Sequence, residues 1–222
     1  MQLKGLVLTT KKIEKQTEIF KRISFYFVTY AKVVHKQFDI QYFDYIVLTS
    51  INAVDAVFTQ YPQLSTRAIF VSGEKTAEHV NHFVRDTPVY YSQGDRGVSG
   101  IISLLDKYKP RGRGIWYRGE RVYDSQCFSS FNISQQIVYD LEPLHQNLMK
   151  LIQQENFDLI VIRSVQQAEV VEQWIGDLLK TFPVVAMSGR IATFLKAKGC
   201  SNIMIENFSD LNDLASKLRL KK

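Results

Sequence analysis

Short apolar runs alternate along most of the chain with stretches whose apolar positions return every third or fourth residue. Runs of the first kind, rich in Val, Ile and aromatics, predict buried strands, and the second kind predicts amphipathic helices. Strands are expected at residues 3–9, 24–34, 43–49, 68–73, 88–92, 114–119, 134–143, 157–163, 183–189 and 202–206. Helices are expected between them, at 12–23, 52–61, 74–86, 98–108, 145–156, 168–180, 190–199 and 210–220, with a poorly patterned one around 121–131. Gly199 stands where a helix C-terminal cap prefers glycine. Strands alternating with short helices predict parallel sheets covered by helices, joined by right-handed crossovers.

The pattern nearly repeats itself. FDYIVLTSINAV at 43–54 matches FDLIVIRSVQQA at 157–168, an offset of 114 residues (158 − 44). AIFVSGEKTAEHVNHF matches VVAMSGRIATFLKAKG at an offset of 116 (189 − 73), in the same order. A period this long is a two-fold duplication rather than a solenoid. It predicts two α/β domains of similar build with a crevice between them. Each matched strand ends in small polar residues just before a helix: Thr49-Ser50, Ser72-Gly73, Arg163-Ser164 and Ser188-Gly189. The first N–H groups of a helix lack partners and carry partial positive charge, so such corners suit carboxylates or phosphates. A single corner reads equally as an ordinary N-cap. Four of them, paired by duplication, add weight to a shared anion site.

Composition narrows the function classes only slightly. An apolar content of 45% suits a packed core. No apolar run reaches the ~20 residues needed to span a bilayer, and the N-terminal segment lacks a signal-peptide pattern. A soluble cytoplasmic protein is the default expectation. Cys127 and Cys200 form no metal-binding or redox spacing, and His79 and His82 lack a third ligand nearby, so no metal is expected. The net charge of +6 points weakly to an anionic partner. The basic residues, densest at Lys11-Lys12 with Lys15 and at 109–114, do not alternate with aromatics as a nucleic-acid groove often does.

TSINAV after FDYIVL, SGEKTA after AIFV, IWYRGERVYDS, IVYDLEP, and VVAMSGRIATFLKAKG followed by NFSDLNDLASKL together resemble the uroporphyrinogen-III synthase family. The resemblance covers nearly the whole chain in order. It implies two similar parallel-sheet α/β domains joined by a two-stranded β ladder, with the active-site cleft between them. One domain would be discontinuous, residues 1–30 plus 144–222, and the other would be residues 39–136. Residues 31–38 and 137–143 would be the linker strands. The implied substrate is hydroxymethylbilane, a linear polycarboxylate tetrapyrrole. The implied reaction loses its hydroxyl as water, inverts the last pyrrole ring and closes the macrocycle, without a cofactor or metal. A monomer that binds neither nucleic acid nor membrane is expected.

The resemblance also implies site residues. Tyr139 matches the family's tyrosine and would donate a proton to the leaving oxygen. A strand tyrosine packed on a hairpin is the alternative role for it. Thr49, Ser50, Asn52, Ser72, Lys75, Thr76, Arg163 and Ser164 would contact substrate. Three positions depart from the family pattern: Thr10, where many relatives have arginine; Arg163, where a hydroxyl is usual; and Ile191, in place of threonine. Two competing functions stay open: a non-catalytic bilobal protein that binds an anion or tetrapyrrole, and a nucleic-acid binder.

Overall fold

Two six-stranded sheets, each with its own apolar core, account for the alternating pattern in the computed structural model. The structure describes residues 3–9, 17–20, 23–93, 98–121, 126–154, 156–206 and 211–220. The chain begins with β1 (Leu3–Thr9), β2 (Thr17–Phe20), β3 (Ile23–Thr29) and β4 (Ala31–His35). It continues through β5 (Tyr45–Leu48), α1 (Ile51–Gln60), β6 (Ala68–Val71), α2 (Glu74–Asn81), β7 (Val89–Tyr91), α3 (Val98–Tyr108), β8 (Gly114–Gly119) and β9 (Ile133–Pro143). It closes with α4 (His145–Gln154), β10 (Leu159–Ile162), α5 (Val165–Leu179), β11 (Val184–Ala186), α6 (Gly189–Ala197), β12 (Ile203–Ile205) and α7 (Leu211–Leu220).

The chain divides into two units. Met1–Lys32 and Glu142–Lys222 make the first, and Val33–Leu141 the second. The first carries the sheet β12-β11-β10-β1-β3-β2, parallel except where β2 runs antiparallel to β3. The second carries β4-β9-β8-β5-β6-β7, with β9 through β7 all parallel. β4 and β9 pair with each other: Lys36 N–H donates to the Val138 carbonyl, and Leu144 N–H to the Tyr30 carbonyl. One partner advances as the other retreats, so this pairing is antiparallel.

The two strand orders are the same order, circularly permuted. β5, β6 and β7 occupy the places of β10, β11 and β12, and β8 and β9 those of β1 and β3. The second unit runs through its sheet without interruption, whereas the first takes its initial strands from the N-terminus and the rest from the end of the chain. In both sheets the order reverses beside the first duplicated strand, between β5 and β8 and between β10 and β1. The carboxyl ends of strands at such a reversal are where open α/β sheets bind ligands.

Packing follows from the pattern. β5 and β10 are buried along their whole length, as strands covered on both faces must be. Val7, Phe25 and Val161 centre the first core, and Val47, Phe70 and Trp116 the second. Each fully buried apolar side chain of this size stabilises the fold by about 1.5–3 kcal/mol. Trp116 meets Phe128 edge-on, with ring centroids 4.9 Å apart. Gly199 ends α6 as anticipated, at φ 89°. Its N–H donates to the Lys196 carbonyl, and Cys200 N–H to that of Leu195. This is the paired bonding of a Schellman cap, and it needs the left-handed conformation glycine tolerates best.

Some expectations change. Thr17–Phe20, expected within a helix over 12–23, is strand β2, and Ile19 pairs with Ser24 across the hairpin. Residues 10–16 and 21–22, including Thr10, Lys11, Lys12 and Lys15, lie outside the described residues. The strand expected at 24–34 is two strands that join different sheets and meet at Tyr30. Residues 126–130 are turns rather than helix, and 122–125 lie outside the described residues. Among the described residues, no helix is long and apolar enough to cross a membrane.

Candidate functional site

β5 must hand over to α1 within two residues, and Thr49 and Ser50 make that turn. Ser50 is the N-cap, extended at φ −152° and ψ 153°, and its Oγ accepts the Ala53 N–H at 3.1 Å. The Thr49 Oγ1 accepts the indole N–H of Trp116, on neighbouring β8, at 3.2 Å. From the end of β6, the Ser72 hydroxyl donates to the Thr49 carbonyl at 3.1 Å. Both hydroxyl residues of the β5 corner are therefore fixed from adjacent strands and from the first turn of α1.

Tyr139 completes this corner from β9. Its phenol oxygen lies 3.1 Å from the Ser50 Oγ, and the Asn52 side chain is close enough to favour the ionised form of the same phenol. Tyr139 is only 8% exposed. Burial pushes its pKa above the usual tyrosine value, against the opposing pull of Ser50 and Asn52, so the group is a neutral phenol at physiological pH. The ring fits because β8 is irregular here. A register shift falls between Arg118 and Gly119, which places Gly119 opposite Tyr139. A Cβ on Gly119 would stand 2.7 Å from the tyrosine Cζ and 2.9 Å from its hydroxyl oxygen. Next along the chain, the Glu120 N–H donates to the Tyr139 carbonyl at 2.9 Å. Lys36 ion-pairs with the Glu120 carboxylate; its hydrogen bond and charge hold that carboxyl below the usual range.

The first unit repeats the corner with different side chains. Ser164 caps α5 at φ −148° and ψ 158°, and its Oγ accepts the Gln167 N–H at 3.1 Å. By the offset of 114, Ser164 stands for Ser50, Arg163 for Thr49 and Gln167 for Ala53. Gln167 is 6% exposed; its Oε1 accepts the Arg163 N–H at 2.8 Å and its Nε2 donates to the Leu8 carbonyl at 3.3 Å. The Arg163 guanidinium donates to the same carbonyl at 2.8 Å. Burial pulls its pKa below the usual arginine value, with Tyr30 acting the other way.

The model of the family described as "Uroporphyrinogen-III synthase HemD" matches residues 23–215. The chain belongs to that family. It is an enzyme of the lyase class, and it serves tetrapyrrole biosynthesis. No curated protein sequence matches the chain significantly. Among solved structures, a uroporphyrinogen-III synthetase from Helicobacter pylori is similar at 15% identity and a TM-score of 0.65, over 99% of this chain and 100% of that one. A mutant uroporphyrinogen III synthase from the extremely thermophilic bacterium Thermus thermophilus is similar at 12% identity and a TM-score of 0.58, over 98% of each chain. At such identities the likeness is one of fold.

Within the family frame, the second unit assembles Thr49, Ser50, Asn52, Ser72 and Tyr139 on one edge. Arg163 and Ser164 form the corresponding edge of the first. Lys75 is exposed in the first turn of α2. Thr76, one residue on, is only 7% exposed, and its N–H donates to the Gly73 carbonyl at 3.1 Å. Ile191, third in α6 as Thr76 is third in α2, is 2% exposed. The departure at Ile191 thus exchanges one buried first-turn side chain for another. α2 also differs from α6 at its start: Ser188 caps α6, but Ser72 is engaged with Thr49, and Gly73 begins α2 without a side-chain cap. Among the described residues, no group of three or more His, Cys, Asp or Glu is placed to hold a metal ion. Trp116, Gly119 and Gln167 escaped the sequence reading. Gln167 had a signal, since it stands within the repeat where the other copy has alanine.

Proposed function

We propose that this chain closes hydroxymethylbilane with inversion of its last ring, and that Tyr139 donates the proton its leaving hydroxyl needs. The observation that supports this most is the neutral phenol beside Ser50 and Asn52, at the strand-order reversal of the second unit. As the carbon–oxygen bond breaks, the phenol proton passes to the departing oxygen and water leaves. The ring-closing carbon later sheds a proton, which restores the phenol. Ser50 holds the phenol oxygen, and Ser50 and Asn52 steady the transient phenolate.

The remaining work is positioning. Holding two ends of one chain at bonding distance removes several kcal/mol of entropic barrier. Thr49, Ser72 and Lys75, with Arg163 and Ser164 in the first unit, are the proposed carboxylate contacts. Thr76 belongs instead with the packing of α2, because its side chain is buried and its N–H is already bonded. The discontinuous and inserted domains, the linker strands at 31–38 and 137–143, and a cytoplasmic monomer acting without cofactor, nucleic acid or membrane complete the reading. The test supplies fresh hydroxymethylbilane to the purified protein and separates the cyclised isomers. The inverted isomer should dominate; a product made up only of the non-inverted one would overturn the assignment and favour a protein that binds without turning over.

A further inference from the structure

We infer that Arg163 is a carboxylate subsite, built into the first unit where the duplicated corner of the second carries the hydroxyl of Thr49. The inference rests on the reading that the substrate is hydroxymethylbilane and goes beyond it by assigning this corner a charge-specific task. Three observations carry it.

The guanidinium is held in place. It donates to the Leu8 carbonyl, near the end of β1, and the Arg163 backbone N–H is fixed by Gln167. Gln167 is in turn locked, since its Oε1, Nε2 and N–H are all bonded within the corner. An arginine so anchored has shed much of the rotamer entropy that a free side chain would lose on binding.

Among the described residues, no carboxylate lies within ion-pair distance of Arg163. Among the described residues, the rest of its planar N–H fork meets no protein acceptor. A cation placed this way gains most from an anion that brings two oxygens in one plane, which is the geometry of a carboxylate. The residue remains exposed, so a ligand can reach it.

Finally, the place is one that folds of this kind use for ligands. Arg163 follows β10, its carbonyl partner is the last but one residue of β1, and the strand order reverses between those two strands.

The test measures kcat and KM for hydroxymethylbilane at several ionic strengths in the wild type, Arg163→Gln and Arg163→Lys, with Tyr139→Phe alongside. Arg163→Gln should raise KM about tenfold, the low end of what losing a hydrogen bond to a charged group costs. It should leave kcat within about twofold and flatten the salt dependence of KM. Arg163→Lys keeps the charge without the fork, so its KM should fall between the two. It also decides the matter if Arg163→Gln fails to fold. A KM and salt dependence equal to wild type in the folded variants overturn the subsite. That result with a slowed Tyr139→Phe leaves the proton-donor reading standing. A raised KM in Arg163→Gln with normal turnover in Tyr139→Phe sinks that reading instead and keeps the subsite.

Discussion

The β5 corner and the β10 corner share one backbone and differ in what they carry. Ser50 and Ser164 cap their helices with dihedral angles within a few degrees of each other, and both accept the third-residue N–H at 3.1 Å. Around the first cap stand a hydroxyl, an amide and a buried phenol; around the second stand a guanidinium and a buried glutamine. Duplication conserved the scaffold, which costs little to keep because an N-cap stabilises any helix. The side chains beside the caps differ: one set places a buried phenol next to the serine, the other a guanidinium and a buried glutamine. A corner's capping residue therefore reports its architecture, and the residues at either side of it report its chemistry.

The largest expected break in the comparison is at Gly119. Gly119→Ala drives a methyl group against the Tyr139 ring, so the phenol must leave Ser50. The turnover rate should fall about a hundredfold, and stability by about 1–3 kcal/mol from overpacking. Steady-state kinetics and a denaturant titration would show both; a wild-type rate would mean the phenol's position is unimportant. Next come the two caps, compared directly. Ser50→Ala and Ser164→Ala should each cost about 1 kcal/mol of stability. Ser50→Ala should also lower kcat about tenfold, and Ser164→Ala by less than twofold. Equal kinetic losses would erase the distinction between the corners.

The smallest effect near neutrality concerns pH. Burial raises the pKa of Tyr139 and Tyr45, and that of Tyr117 to about 12, with Tyr61 a secondary cause for Tyr117. A raised folded-state pKa means stability is fully present below the unfolded value of about 10 and is lost as pH climbs through the folded one. The melting temperature should therefore be insensitive to these tyrosines up to about pH 9.5 and fall between about pH 10 and 12. Tyr117→Phe should blunt that fall. A flat profile in the wild type would contradict the assigned burial effects.

Much of this was legible in the residues. The repeat at offset 114 pointed to two α/β halves, and the hydroxyl residues before each helix marked three of the four N-caps. What stayed hidden depended on distant partners. Thr17–Phe20 has apolar spacing that suits a helix, but pairing with β3 supplies hydrogen bonds no local pattern reveals. The circular permutation of the two sheets cannot be read from element order alone, because element order does not say which strands become neighbours. Gly119 matters only through the register shift that sets it against Tyr139. Gln167 matters because Leu8, more than a hundred residues away, lends its carbonyl.

The most direct test of the account is kcat for Tyr139→Phe with hydroxymethylbilane, beside that for Arg163→Gln. On the proposed reading the phenol supplies the proton, so its loss should reduce kcat at least a hundredfold while KM changes little. Arg163→Gln should instead spare kcat. A Tyr139→Phe enzyme that forms the inverted isomer at the wild-type rate would contradict the account.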